Sequence, residues 1–296
     1  MTATTQQDDE EQVSSEGYGP LVHDNAVPTP PFWGSKCLER IPLRAALPYI
    51  NRRTLYRFQW GFKAAGRGEA EYQAFARTEI DPIFNRIVER AEREDIIRPQ
   101  AVYGYFPCQS EGNDLIVYHL PSSDQSAGAW RERCRFTFPR QEKGRGLCIA
   151  DFFRSTASGE IDVVAFQLVT VGQHASDVAR ELFAADHYQE YLYLHGLNVE
   201  TTEGLAEFVH KRIRSELGFS REDARAMADM LRQGYRGSRY SFGYPACPNL
   251  TDQDKILDLL GAARIAVTLG DEDQLWPEES TSAIVVHHPQ AKYFSA

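Results

Sequence analysis

The segment best suited to bind a ligand covers residues 239–248 and reads Arg-Tyr-Ser-Phe-Gly-Tyr-Pro-Ala-Cys-Pro. Its prolines and glycine fix an extended or turning backbone, which leaves peptide groups outside regular structure and able to bind a ligand. Arg239 can offer a planar fork of donors to a carboxylate, and Tyr244 an aromatic surface with a hydroxyl group. The alternative is a structural loop whose arginine caps a helix or pairs with an acid, and composition alone favours that alternative.

The signatures of other common chemistries are missing from the sequence. Two segments begin like a Gly-x-Gly-x-x-Gly motif, at Gly66 and Gly144, but Glu71 and Ile149 stand where the third glycine is required. The Gly-x-Ser-x-Gly, His-Glu-x-x-His and Walker A patterns are absent as well. We therefore expect neither a Rossmann nucleotide site, nor a bound metal, nor a catalytic residue of the protein's own, and we interpret Cys247 as a packed thiol.

Composition and charge narrow the class of protein further. The 296 residues carry a net charge of -10, but residues 1–24 hold six acids and no Lys or Arg, so only -4 remains for the rest of the chain. The sequence lacks the clustered basic stripe that nucleic-acid binding requires. Its longest apolar runs, such as residues 161–171, are too short to span a bilayer, and its scattered cysteines indicate reduced thiols. These features predict a cytoplasmic protein with no nucleic-acid or membrane partner.

The hydrophobic periodicity predicts one domain that follows a tail. Residues 1–31 have the acidic, proline-containing composition of a disordered tail or linker, and residues 32–296 show no further break. Helical spacing covers residues 52–63, 69–94 with a kink at Pro82, 177–195, 202–217, 220–233 and 252–260. Strand-like runs cover residues 101–106, 115–120, 135–138, 147–152, 161–171, 264–269 and 282–288. Because helices and strands are segregated along the chain, we expect an α+β fold with a largely antiparallel sheet.

The pattern Arg-x-x-x-Gly-Tyr-Pro-Ala-Cys-Pro at residues 239–248 strongly resembles the activation domain of cobalamin-dependent methionine synthase. Other segments agree with that family in the expected order. They are Pro-Pro-Phe-Trp-Gly at 30–34, Pro-Tyr-Ile-Asn at 48–51, Phe-Gln-Trp at 58–60, Leu-Cys-Ile-Ala-Asp-Phe at 147–152 and His-Pro-Gln-Ala-Lys-Tyr-Phe at 288–294. The resemblance covers about residue 28 to the end. It implies a single C-shaped α+β domain that binds S-adenosylmethionine in a shallow surface groove, without a Rossmann fold.

The resemblance also implies which residues of the terminal third bind the ligand. Arg239 matches the arginine that contacts the methionine carboxylate, and Ser241 stands where the family usually has an alanine that uses its backbone groups. Tyr244 falls beside the ligand and the corrin of cobalamin. Tyr293 and Phe294 match an aromatic pair at the nucleoside, and the alternative for both is an edge strand that packs its aromatic rings on the core.

Two further residues are assigned to the site on weaker grounds. Asn51 aligns with a position that can be aspartate in the family; its amide can hydrogen-bond the ligand but supplies no charge, and its alternative role is the N-cap of a helix. Glu203 lies near a family acid that faces the site, yet it sits on a helix with an ordinary solvated face. In that helix the apolar stripe leaves His210, Lys211 and Arg214 outside the buried side.

By resemblance, the expected function is reactivation of a cobalamin-dependent methionine synthase, in methionine biosynthesis. A flavodoxin-type donor returns an electron to cob(II)alamin, which a partner domain or chain carries, and S-adenosylmethionine supplies the methyl group that regenerates methylcobalamin. The chain lacks the family's cobalt-binding Asp-x-His and zinc-binding Cys-Cys patterns, so it cannot synthesise methionine alone. One alternative is a free-standing S-adenosylmethionine sensor or assembly module without methyl transfer. Another is a redox-partner docking protein that uses the cations of residues 131–145.

Overall fold

The computed structural model describes residues 21–120 and 130–296. Within these residues, an antiparallel sheet of seven strands and a small two-stranded sheet combine with helices, which confirms the predicted α+β class. The strands are β1 (Gly34–Leu38), β2 (Gln100–Glu111), β3 (Asp114–Tyr118), β4 (Glu132–Thr137), β5 (Asp162–Thr170), β6 (Ser238–Ser241), β7 (Thr268–Leu269), β8 (Leu275–Trp276) and β9 (Ser280–Val286). The helices are α1 (Leu43–Ala46), α2 (Arg52–Thr54), α3 (Glu69–Phe75), α4 (Asp81–Arg93), α5 (Gln173–Ala184), α6 (Tyr188–Glu216), α7 (Met227–Met230) and α8 (Asp252–Leu260).

The larger sheet has the order β4-β3-β2-β5-β9-β6, which places β6 at one edge. The long strand β2 pairs with β1 through its first half and with β3 through its second half. All the strand pairs of the described residues are antiparallel. A Rossmann fold requires parallel βαβ units, so the expectation of a non-Rossmann fold is confirmed.

The two faces of the sheet build two different cores because side chains alternate along a strand. Val102, Phe106 and Phe166 lie on the face that α8 covers. Tyr103 and Tyr105 lie on the opposite face, where the second half of α6 packs. A third apolar cluster joins α4, α5 and the first half of α6. Helix α6 therefore connects the sheet to the helical part of the fold.

Helix α6 runs for 29 residues without interruption, which contradicts the two separate helices predicted over 177–195 and 202–217. The chain breaks earlier, between α5 and α6, where Asp186 takes a left-handed conformation with φ of 59°. None of the helices in the described ranges has the length and apolar character needed to cross a membrane.

Two glycines let α6 approach its neighbours closely. A Cβ atom at Gly196 would lie 2.9 Å from the side chain of Trp60, and one at Gly204 would lie 3.1 Å from the carbonyl oxygen of Ala46. Glycine weakens an isolated helix by about 1 kcal/mol relative to alanine. The close packing that these two glycines permit offsets this cost within α6.

Three other predicted elements are replaced by short 3-10 turns. The strand over 147–152, the helix over 220–233 and the strand over 264–269 give way to Ile149–Phe152, to Ser220–Glu222 with α7, and to Ala262–Ile265 with β7. In the first turn, the backbone N–H of Cys148 donates to Asp151 at 2.9 Å. In the third, Ala266 ends the turn in a left-handed conformation with φ of 54°. The kink expected before Pro82 takes the form of a π-helical turn, Ala76–Ile80.

Residues 21–27, which we call the N-terminal strap, contact the domain. Arg154 donates to the carbonyl oxygens of His23, at 2.6 Å, and of Asn25. The N–H of Val22 donates to the side chain of Gln290 at 2.9 Å. The first 20 residues of the predicted tail lie outside the described residues, and the predicted boundary at residue 32 stays a prediction.

Candidate functional site

Arg239 lies on the edge strand β6, opposite Val285 of β9. The alternation along β6 directs the ring of Tyr240 into the core beneath α8, whereas Val285 belongs to the core beneath α6. Arg239 therefore reaches toward α6, and its side chain is 19% exposed. The sheet edge thus places one cation at the border between the core and the surface.

Two acids of α6 face this arginine. Nη1 of Arg239 donates to Oε2 of Glu207, and Nη2 lies 3.6 Å from Oε2 of Glu203. The two acids are four residues apart, so they lie on the same face of the helix. Burial lowers the pKa of Arg239, but Glu207, Tyr235 and Glu203 together outweigh burial and hold that pKa above its usual value. The arginine is charged, and its Nη2 side has the longer contact.

Sequence reasoning did not single out Glu207, which is buried. Its second oxygen, Oε1, accepts from Nη2 of Arg214 at 3.2 Å, and Arg214 also donates to both oxygens of Asp223 at 2.9 and 3.2 Å. The guanidinium of Arg214 lies 3.9 Å from the ring centre of Tyr235. The sequence offered one signal for Glu207: it lies four residues after Glu203, and residues four apart on a helix are neighbours.

The side chains of His210 and Arg214 are fully buried, which contradicts their placement outside the buried side of the helix. Helix α6 packs against the sheet, α1, α5 and the turns around it, so more than one of its sides is covered. Burial lowers the pKa of His210 well below its usual value, and the charges of Arg214 and Arg239 lower it further. His210 is therefore neutral.

Glu200 lies one turn before Glu203 on the same helix and is buried. Burial, and then the neighbouring charge of Glu203, raise the pKa of Glu200 to about 8. A carboxyl group with this pKa is mostly protonated at neutral pH. The second half of α6 therefore carries a protonated acid, Glu200, one turn before Glu203.

The turn that follows β6 orients Ser241 and Tyr244. The carbonyl oxygen of Ser241 accepts from the N–H of Tyr244 at 3.4 Å and lies 2.9 Å from Sγ of Cys247. Gly243 has a φ of +92°, a conformation that suits glycine. Cys247 is buried, which confirms the prediction of a packed thiol, and burial raises its pKa. Tyr244 remains 38% exposed at the tip of this turn.

The C-terminal segment packs along the same sheet edge. The N–H of Tyr293 donates to the side chain of Gln233 at 3.1 Å, and the ring of Tyr293 stacks on Tyr240 with centroids 6.1 Å apart. Phe294 is 8% exposed and packs on Phe152 and Tyr240. Tyr293 is thus partly accessible beside β6, whereas the ring of Phe294 belongs to the core. The edge strand of the alternative interpretation is absent over residues 287–296, and the role of both residues in ligand binding stays a prediction.

Asn51 caps the short helix α2. Its Oδ1 accepts from the N–H groups of Arg53 and Thr54, both at 3.2 Å, which is the geometry of an N-cap. The preceding residue, Ile50, packs against Gly204, next to Glu203. The capping alternative is therefore confirmed, and a role in ligand binding stays a prediction.

An open surface groove of about 500 Å³ lies beside Asn51. It is lined by Arg44, Leu47, Pro48, Ile50, Arg52, Met227, Ala228 and Leu231. Helix α7 forms one wall, and its last residue, Met230, contacts Arg214 through sulfur at 3.9 Å. The groove and the charged residues around Arg239 therefore share their supporting elements.

Three of the six cations of residues 131–145 form ion pairs with acids of the domain. Arg133 pairs with Asp258 at 2.8 Å, and Arg140 pairs with Asp151 at 2.7 Å. Arg135 contacts Glu111, Asp114 and Glu132. This pattern favours a charged strand surface over a docking site for a redox partner. Among the described residues, no group of three or more His, Cys, Asp or Glu side chains is arranged to hold a metal ion.

The fold and the site together define an α+β domain that has a charged sheet edge flanked by aromatic side chains and an open groove lined by the neighbours of Asn51. The family model described as "Vitamin B12 dependent methionine synthase, activation domain" matches residues 48–296, so the chain belongs to this family. The resemblance stated from the sequence motifs is therefore confirmed.

Relatives and a solved structure agree with this assignment. The chain is 45% identical over 298 residues to methionine synthase of Mycobacterium tuberculosis and 44% identical over 284 residues to that of Mycobacterium leprae. These matches cover 97% and 92% of this chain but 25% and 23% of the relatives, so the chain spans about a quarter of their length. The crystal structure of the MetH reactivation domain bound to AdoHcy has the same fold, with a TM-score of 0.79 and 22% identity over 92% of this chain and 83% of that one.

Proposed function

We propose that this domain binds S-adenosylmethionine at the sheet edge around Arg239 and presents its methyl group to cobalamin carried by another part of a methionine synthase. The single observation that supports this proposal most directly is the partly exposed Arg239, whose Nη2 lies only loosely against Glu203. A cation that is held on one side and accessible on the other can receive a carboxylate.

The side chains around Arg239 match the chemical groups of S-adenosylmethionine. Arg239 binds the carboxylate of the methionine part, and Glu203, beside it, offers a charge for the ammonium group. Ser241, Tyr244 and Tyr293 flank the adenosine and the approaching corrin, and the rings of Tyr293 and Phe294 both pack on Tyr240. Asn51, between the groove-lining residues Ile50 and Arg52, adds hydrogen-bonding capacity.

The work of the domain in this proposal is positioning. Cobalamin, when bound by its own domain, supplies the cobalt that accepts the methyl group, and a flavodoxin-type protein supplies the electron that reduces cob(II)alamin first. The methyl group leaves the sulfonium without its bonding electrons, so S-adenosylhomocysteine remains. No side chain of this domain forms a covalent bond, and its contribution is to hold the sulfonium in line with its acceptor. The setting that we propose is methionine biosynthesis in the cytoplasm.

Calorimetric titration of the chain with S-adenosylmethionine tests the binding step. We expect saturable binding at one site, and an absence of binding by the folded protein would overturn the proposal. A second assay mixes the chain with a cobalamin-binding domain of a synthase, a reductant and S-adenosylmethionine labelled in the methyl group. Labelled methylcobalamin supports the proposal, whereas ligand binding without methyl transfer would support the sensor alternative.

A further inference from the structure

A chain of four alternating charges leads from the interior of the domain to Arg239. Asp223 binds Arg214, Arg214 binds one oxygen of Glu207, and the other oxygen of Glu207 binds Arg239. Of these side chains, Arg214 is fully buried, and those of Glu207 and Asp223 are 6% exposed. We call these four residues the charge relay, and only its last member reaches the surface.

The relay is an expensive way to stabilise a fold. Removing charges from water costs several kcal/mol per ion, and well-packed apolar residues of similar volume often serve stability equally well or better. Nη1 of Arg214 is also buried and has no hydrogen-bond partner among the described residues, which adds a further cost. Stability alone therefore does not account for this arrangement.

The geometry does explain how Arg239 is oriented. Each oxygen of Glu207 is bound by a different arginine, so the carboxylate cannot rotate freely, and it holds Nη1 of Arg239 in one place. Within residues 21–120 and 130–296, the polar contact of Nη2 of Arg239 is the 3.6 Å approach to Glu203. The fixed side of the guanidinium therefore faces inward, and the loosely held side faces outward.

The relay orients Arg239 without adding net charge to the site. The formal charges of Arg214 and Asp223 offset each other, and so do those of Arg239 and Glu207. A carboxylate at the outer side of Arg239 therefore meets a guanidinium that the buried groups behind it hold in one orientation.

We propose that Glu207 and Arg214 are positioning residues, which hold Arg239 so that it selects ligands bearing an amino-acid carboxylate. This inference rests on the proposed function, because it assigns the origin of selectivity within that ligand site. Neither residue touches the ligand; both act through Arg239.

The test compares two ligands that share an adenosine and a sulfur atom. S-adenosylhomocysteine carries the amino-acid carboxylate, and 5′-methylthioadenosine does not. In Glu207→Gln, we expect the affinity for S-adenosylhomocysteine to fall by at least roughly tenfold and the affinity for 5′-methylthioadenosine to change by less than about twofold. Arg214→Lys keeps the charge but loses the fork of donors, so its effect should be in the same direction and smaller.

The matched control is Glu190→Gln. Glu190 is also an acid of α6 that pairs with an arginine, but it lies in the first turn of the helix and its partner is Arg86 of α4. We expect this control to leave both affinities unchanged. An equal loss for both ligands in Glu207→Gln would show a merely structural role and overturn the inference, and so would an unchanged ratio of the two affinities.

A second measurement does not depend on binding. The Nε–H resonance of Arg239 in a ¹⁵N spectrum reports how firmly its guanidinium is held, and we expect this signal to broaden or shift in Glu207→Gln but not in Glu190→Gln. A signal that stays as ordered as in the wild type would overturn the inference. If the wild-type chain binds neither ligand, the proposed function fails, while this spectrum still decides whether Glu207 orients Arg239.

Discussion

In the first half of α6, Glu190 lies at the surface and pairs with Arg86 at 2.9 Å, with side chains 32% and 52% exposed. In the second half, Glu207 and Arg214 form the same kind of pair at 3.2 Å, but almost no water reaches either side chain. The two pairs share their chemistry and differ in burial. Water screens the pair of Glu190 and Arg86 but not the pair of Glu207 and Arg214. The buried pair can therefore orient Arg239, and breaking it should lower the free energy of unfolding more.

The largest difference in stability between the two ion pairs should appear when the arginine of each pair is removed. Arg214→Ala leaves the carboxylates of Glu207 and Asp223 buried with one cation fewer, so we expect the free energy of unfolding to fall by roughly 3–5 kcal/mol. Arg86→Ala removes an exposed partner and should cost less than about 1 kcal/mol. Urea unfolding of both variants measures the difference, and equal losses would remove the distinction between the two halves.

The pH dependence of stability provides a second test of the difference between the two halves of α6. The pKa of Glu200 is raised to about 8 from an ordinary value of 4.5, so its contribution to stability is fully present below about pH 4.5 and is lost as the pH rises through about 8. Glu200→Gln cannot ionise and should therefore be more stable than the wild type at pH 9, by up to roughly 4 kcal/mol.

Thermal melts between pH 5 and pH 9 test this prediction. Glu190→Gln is the control, since it removes an exposed acid of the same helix and should alter the pH dependence much less. If the melting temperatures of Glu200→Gln and the wild type fall in parallel with rising pH, Glu200 is not the group responsible.

A third prediction concerns a buried cation outside α6. Arg154 is 8% exposed and donates to the carbonyl oxygens of His23 and Asn25 in the N-terminal strap. Deleting residues 1–27 removes both acceptors and should lower the free energy of unfolding by roughly 2–4 kcal/mol, because two hydrogen bonds from a charged group are lost while the bond to Glu160 remains. Deleting residues 1–20 keeps these contacts and should cost little. Equal melting temperatures for the two truncated variants would show that the strap adds no stability.

A smaller effect is expected from Arg239→Lys. Lysine keeps the charge opposite Glu207 but loses the planar fork, so binding of S-adenosylmethionine should weaken by roughly 1–3 kcal/mol. The free energy of unfolding should change by less than about 1 kcal/mol, since a cation still faces the buried carboxylate. Calorimetry and thermal melts of the same variant measure the two quantities. Unchanged binding would exclude Arg239 from the ligand site, and a large loss of stability would favour its structural alternative.

The sequence predicted the parts of this site that local patterns encode. The motif at residues 239–248 identified Arg239, and the residue before a helix identified Asn51 as an N-cap. The burial of Glu207 and Arg214 was not predicted, because an apolar stripe predicts one buried side, whereas α6 is covered on several sides. Their ion pairs depend on neighbours brought together by the fold, such as β6 and the turn after α6, and helical spacing alone does not reveal a buried charge.

The smallest predicted effect concerns Asn51. Its neighbour in the chain, Ile50, packs against Gly204 in the second half of α6. Asn51→Asp keeps an N-cap acceptor and adds a negative charge near the ligand ammonium, so we expect unchanged stability and a several-fold gain in affinity for S-adenosylmethionine, worth less than about 1 kcal/mol. Asn51→Ala, in contrast, loses both hydrogen bonds to the backbone and should cost about 1 kcal/mol of stability. Calorimetry and melts of the two variants separate the roles. If aspartate leaves the affinity unchanged while alanine lowers the melting temperature, Asn51 is a helix cap and does not belong to the ligand site.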